Sequence, residues 1–186
     1  MSGCRAINDA EIELVKAELT EPRDYCLFIL GIRTGFRISE LLKINVPDVV
    51  DAKGRVYDRV TVSWRWIKEK RSREVLLHPD AQEAIRRLMF GRINATGPLF
   101  KSRNGEMKPL SRFRAYKILK DAFGRAGLRG ALATHTLRKT FAQKMYENLG
   151  RDILATRDAI GHRQLDSTLK YISTSVDRIR AAILKG

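Results

Sequence analysis

The sequence predicts a mostly helical domain with a small antiparallel sheet of three strands, an α+β class. Three observations carry that prediction. Apolar residues recur at helical spacing behind recognisable starts and stops through most of the chain. One stretch, residues 55–77, switches to β-branched and aromatic residues, with one apolar side at period two. The chain is 186 residues long and 44% hydrophobic, which suits one domain around one core.

Residues 1–7 read as loose. Asn8 and Glu11 form a capping box, and Ile12, Val15 and Leu19 mark one apolar face. Pro22 suits the first turn of a second helix, apolar nearly all round from Tyr25 to Leu30 and stopped by Gly35. Ser39 to Lys43 gives a short helix with Leu41 and Leu42 inward, and Pro47-Asp48 turns the chain. Arg55-Val56-Tyr57 is a candidate first strand, Val60 to Ile67 the second, and Val75-Leu76-Leu77 the return strand. Lys68 to Ser72 forms the polar turn between the last two.

Pro79-Asp80 opens the next helix, with Ile85, Leu88 and Met89. Gly91 to Gly97 is loop, Leu99-Phe100 a short strand and Arg103 to Glu106 a turn. Ser111 caps a helix ended by Gly124 or Gly127. Residues 135–148 and 151–160 are further helices, and Ser175 caps a last one with Val176, Ile179 and Ile183 on one face.

Lys+Arg is 36 against 21 Asp+Glu, a formal net charge of +15. Such an excess draws a protein to polyanions, nucleic acid first and an anionic membrane surface second. Cys4 and Cys26 have no metal-ligand spacing and make no disulfide framework. No signal peptide is evident, and the apolar run Tyr25 to Ile32 is too short to span a bilayer. A reducing cytoplasm, in association with the nucleoid, is the expected location.

The chemistry concentrates between His135 and Tyr171. His135 and Arg138 share a helix face near its N-terminus, capped by Thr134 or Thr136, where free N–H groups and the dipole attract anions. Alone, the pair reads rather as a buried histidine with an ion-pairing arginine. Gly161-His162 falls at a helix end, with Thr168 and Tyr171 following; alone, these are a capping histidine and a packed tyrosine. Arg37 stands just beyond Gly35, and Glu40 is spaced to hold its guanidinium; Arg33, inside the preceding helix, competes. Lys68, Lys70, Arg71 and Arg73 crowd one hairpin, either a solvated turn or a feature able to enter a DNA groove.

Together these signals resemble the catalytic domain of the tyrosine recombinases, the phage-integrase family. Thr34-Gly35-Phe36-Arg37-Ile38-Ser39-Glu40-Leu41-Leu42 is similar to that family's first arginine box. His135-Thr136-Leu137-Arg138 resembles its His-x-Leu-Arg box, and Gly161-His162 with Thr168 and Tyr171 its Gly-His…Thr-x-x-Tyr box. Registration from Arg73 through Pro79 puts the family's lysine on Lys68, with Lys70 the alternative. The resemblance covers roughly residues 7–180. It implies the DNA breaking-rejoining catalytic fold.

The resemblance implies a mechanism as well. Tyr171 attacks the scissile phosphate and forms a 3′-phosphotyrosyl link. Arg37 and Arg138 hold the non-bridging oxygens. Lys68 protonates the departing 5′-oxygen, His135 assists proton transfer and His162 donates a hydrogen bond. Lys70, Arg71, Arg73 and Arg112 are expected DNA contacts. Neither metal nor cofactor is expected. The partner is double-stranded DNA, bound as a homotetramer on two sites by a chain that is monomeric without DNA. Residues 1–186 then form one catalytic domain without the N-terminal core-binding domain common in the family, either an excised domain or a minimal recombinase. The tail helix within 172–186 packs on its own domain or docks in trans. Two competing readings are a type IB topoisomerase-like enzyme and a non-catalytic DNA- or RNA-binding module.

Overall fold

Helices start where the sequence offers a cap. In the computed structural model, which describes residues 3–62, 73–92, 96–103 and 107–161, Asn8 Oδ1 accepts from Glu11 N at 2.9 Å. Glu11 Oε2 accepts in return from Asn8 N at 3.0 Å. This opens α1 (Asp9–Glu18), which buries Ile12 and Val15. Pro22 sits in the first turn of α2 (Pro22–Thr34), where a missing N–H costs nothing. Its residues Cys26 to Ile32 are all buried, so α2 is the central helix. Burial pushes the Cys26 thiol pKa far up and leaves that sulfur inert.

Gly35 ends α2 in the left-handed conformation, φ 64°, and α3 (Ile38–Leu41) follows at once. A 3-10 turn spans Val46–Asp48. Strand β1 (Arg59–Val62) then pairs antiparallel with β2 (Arg73–Leu76), with Val60 opposite Val75. Val60 is buried while Leu76 faces out.

Among the described residues the sheet has two strands, not three. The expected first strand, Arg55 to Tyr57, folds back on its own loop instead. Val56 bridges only Val50, and Asp51 Oδ1 gathers the N–H groups of Lys53 and Arg55. With those groups turned inward, no ladder to β1 forms. The short strand expected at Leu99-Phe100 is likewise replaced by single bridges, at Pro98 to Asn45 and at Lys101 to Pro109. Proline has no N–H with which to extend a ladder. The second strand beyond Val62, the polar turn at 68–72 and residues 104–106 of the expected turn lie outside the described residues.

Helix α4 (Pro79–Met89) packs against α2 with Ala81, Ala84, Ile85 and Leu88 inward. Ser111 caps α5 (Arg112–Arg125), whose apolar face packs against α1 and α3. Of the two glycines expected to stop α5, Gly127 has the positive φ, 70°. Helix α6 runs Thr134–Asn148 and α7 runs Ile153–Ile160.

The chain divides into two compact units, residues 1–141 and 142–186. The first holds α1 to α5 and the start of α6, around a core that includes Phe28, Phe36, Phe100 and Phe123. In the second, Asp152 caps α7 by accepting from the N–H groups of Leu154 and Ala155. Gly161 closes α7 at φ 73°, the left-handed stop its sequence position anticipates. The last expected helix lies outside the described residues. No helix among the described residues is long and apolar enough to cross a membrane.

Candidate active site

Two segments more than a hundred residues apart build the site, and glycine lets them meet. A Cβ on Gly31 of α2 would stand 3.0 Å from Leu137 Cβ, and one on Gly35 would stand 2.8 Å from Phe141 Cε1. No larger residue fits without moving α2 from the start of α6. Thr136 Oγ1 accepts from Ala133 N at 3.1 Å, so Thr136, of the two candidate threonines, reaches back to close the first turn of α6.

The left-handed turn at Gly35 brings Arg37 out at the start of α3. Glu40, buried at 3% exposure, takes two bonds from it: backbone N to Oε2 at 2.8 Å and Nη1 to Oε1 at 2.7 Å. A carboxylate that accepts a guanidinium and a backbone N–H together fixes both. Arg37 keeps 35% of its side chain exposed, so its fork is oriented yet reachable. Arg33, the competitor, is engaged elsewhere, with Nη2 on Asp80 Oδ2 at 2.5 Å.

Arg138 is 1% exposed and belongs with the largest fully buried side chains. Its Nη1 donates a short hydrogen bond to the carbonyl oxygen of Gly35. His135, one turn earlier on α6, stays at the surface. Its pKa lies below the ordinary value, because of partial burial of the ring first and then Arg138, Arg37 and Lys139. Burial first, and three cations after it, therefore disfavour the charged form of one imidazole. A neutral imidazole beside two guanidiniums can accept a proton while the cations receive an anion.

Of the sequence-predicted site residues, the structure brings Arg37, His135 and Arg138 together. Arg112 is exposed at the start of α5, and Arg114 and Lys117 on the same helix are exposed as well. Arg73 lies in β2 opposite Val62. Lys68, Lys70, Arg71, His162 and Tyr171 lie outside the described residues.

Comparison with known proteins gives the family. The family model described as "Phage integrase family" matches residues 6–178. The chain belongs to the phage integrase family. A probable integrase/recombinase, YoeC, from Bacillus subtilis (strain 168), is 36% identical over 160 residues, covering 86% of this chain and 82% of its own length. The type 1 fimbriae regulatory protein FimE of Escherichia coli (strain K12) is 34% identical over 164 residues, covering 86% of this chain and 78% of its own length.

Solved structures share the fold. The XerA recombinase superposes with a TM-score of 0.78 at 20% identity, over 98% of this chain and 64% of that one. The XerH site-specific recombinase, bound to a palindromic difH substrate in a post-cleavage complex, gives 0.76 at 22% identity, over 96% of this chain and 51% of that one. The chain thus spans about half to two thirds of these two structures. As a phage integrase family member it carries the catalytic domain of a tyrosine recombinase, a DNA strand-transferring enzyme. That family assignment sets aside the topoisomerase-like and non-catalytic readings.

Sequence reading missed the segment before α1. Residues 3–7, expected to be loose, bond to the 129–131 turn and to α6: Arg5 N donates to Ala131 O at 2.9 Å and Ile7 N to Thr140 Oγ1 at 3.0 Å. Glu11, visible as a helix cap, was the one local sign of an anchor there.

Proposed function

We propose that this chain cleaves and rejoins DNA at specific sites through a 3′-phosphotyrosyl intermediate, with Tyr171 as nucleophile. The phenol oxygen attacks phosphorus as the bond to the 5′-oxygen breaks. The phenol proton passes toward His135, and Lys68 delivers a proton to the departing oxygen. Arg37 and Arg138 hold the two non-bridging oxygens, and His162 donates a further hydrogen bond. A phenol of pKa about 10 is about three units short of ionised at neutral pH, roughly 4 kcal/mol. Cations around the reacting centre supply that difference.

The observation that carries this reading is a pair of anchored guanidiniums, Arg37 on Glu40 and Arg138 on the Gly35 carbonyl, both acting on His135 at a helix start in a phage integrase family chain. Guanidinium forks match the paired oxygens of a phosphate, which a lysine does not. The phosphotyrosyl bond conserves energy, so a 5′-hydroxyl from another strand can reverse the attack. Four protomers on two duplexes exchange strands in this way, and the net charge of +15 favours the duplex as partner.

The test uses a pool of nicked duplexes with randomised flanks, on which cleavage releases a short fragment and traps the enzyme. A protein–DNA adduct that survives denaturation is expected, and it disappears in Tyr171→Phe. An adduct that persists in Tyr171→Phe moves the nucleophile elsewhere, and no adduct with any sequence refutes the reading.

A further inference from the structure

All three side-chain nitrogens of Arg5 donate, to Glu11, to Ala6 O and to Arg129 O. Nη1 and Nη2 hold Glu11 at 2.8 and 2.5 Å, and Nη1 also reaches Ala6 O at 3.0 Å. Nε donates to Arg129 O at 2.8 Å, and the Arg5 backbone N to Ala131 O at 2.9 Å. Glu11 Oε2 takes Asn8 N as well, so one carboxylate both caps α1 and grips Arg5. The pairing lowers the Glu11 pKa and raises that of Arg5. The turn it reaches is shaped for it. Gly130 has φ 99°, and a Cβ there would stand 3.1 Å from Arg5 Nε.

A second thread runs beside the first. Ile7 N donates to the buried Thr140 Oγ1, which donates in turn to Thr136 O at 2.9 Å. Thr136 closes the first turn of α6 through Ala133 N. The first thread ends on the 129–131 turn that leads into α6, and the second on Thr136, between His135 and Arg138.

We infer that Arg5, clamped by Glu11, is a positioning residue for the active site: it fixes the 129–131 turn and so holds the start of α6 in place against Arg37. This rests on the reading above that α6 grips the scissile phosphate. Magnitudes separate the role from simple stabilisation. A partly exposed ion pair contributes little to folding. A shift of about 1 Å in a catalytic group costs on the order of 100-fold in rate. Loss of Arg5 therefore acts on rate far more than on stability. Lysine does not replace it, because the three directions served by Nε, Nη1 and Nη2 need a planar fork.

The test compares wild type with Arg5→Ala, Arg5→Lys and Glu11→Gln in the full chain. Two quantities are read: single-turnover adduct formation, and the His135 imidazole titration by NMR in the free protein. Arg5→Ala slows adduct formation by about tenfold or more and leaves DNA affinity within about twofold. Its His135 titrates at higher pH than in wild type, since the ring draws away from Arg37 and gains water. Arg5→Lys behaves like Arg5→Ala. Glu11→Gln keeps an oxygen for Asn8 N, so α1 stays capped, and it gives an intermediate loss. Adding it to Arg5→Ala has little further effect.

An unchanged His135 titration in Arg5→Ala overturns the inference, as does a rate loss that only follows the unfolded fraction. Failure of the wild type to form any adduct refutes the functional reading, and the titration, which needs no activity, still decides the role of Arg5.

Discussion

Arg138 donates from its buried guanidinium to the carbonyl oxygen of Gly35, two residues ahead of Arg37. The two arginines are thereby joined through one backbone turn. That carbonyl is available because α2 ends at Gly35, where helical carbonyls run out of partners within the chain. The stop signal of one helix is also the anchor of the arginine on another.

Gly35→Ala tests this junction. The new Cβ meets the Phe141 ring and must also take a left-handed φ. Left-handed backbone costs about 1–2 kcal/mol and overpacking about 1–3 kcal/mol. Thermal unfolding should fall by several degrees, since about 1 kcal/mol moves a domain of this size about 2–4 °C. Gly54→Ala, also at positive φ but with open space around it, should cost less.

Glu40→Gln should separate orientation from charge. The variant keeps the buried shape but loses the charge-assisted hold on Arg37. Single-turnover cleavage should drop on the order of tenfold, less than the 100- to 1,000-fold expected for removing a preorganised donor with Arg37→Ala. Equal losses in the two variants would mean that the carboxylate does more than hold the guanidinium.

The His135 pKa sets a pH dependence with a definite sign. The folded value lies below the ordinary 6.5 of the unfolded chain, so the folded state binds its proton more weakly. Its contribution to stability is complete above about pH 6.5 and is lost as pH falls toward the folded pKa. Cleavage should fall over the same range, as the base becomes protonated. In Arg37→Ala, with one cation gone, NMR titration should place the His135 midpoint at higher pH. A midpoint at or above 6.5 in wild type would contradict the clustering.

DNA affinity should fall steeply with salt, because phosphate neutralisation releases counterions. A titration by fluorescence anisotropy between low and moderate salt measures the slope. Arg112→Ala should reduce it by about one if that exposed side chain meets a phosphate.

Much of the fold was legible because its signals are local. Asn8, Pro22, Gly35, Pro79, Ser111 and Gly161 all act where their chemistry predicts, and Glu40 holds Arg37 across a single turn. The helical spacing of His135 and Arg138 gave a shared face. It could not say that Arg138 would be buried and His135 exposed, because that depends on the distant Gly35 carbonyl. The role of Arg5 was illegible for the same reason, since Glu11 is near in sequence but the Arg129 and Ala131 carbonyls lie more than a hundred residues away. The third strand failed because Asp51 draws Lys53 and Arg55 into a local turn, a competition that residue type alone does not reveal.

If the site on α3 and α6 grips the non-bridging oxygens of a scissile phosphate, removing charge from the substrate must blunt the effect of Arg37. Adduct formation by wild type and Arg37→Ala should be timed on a phosphate and on a methylphosphonate at the cleaved position. Arg37→Ala should lose about 100-fold or more on the phosphate and far less on the methylphosphonate, where a charged oxygen has been replaced by a methyl group. The same loss on both substrates would contradict that grip.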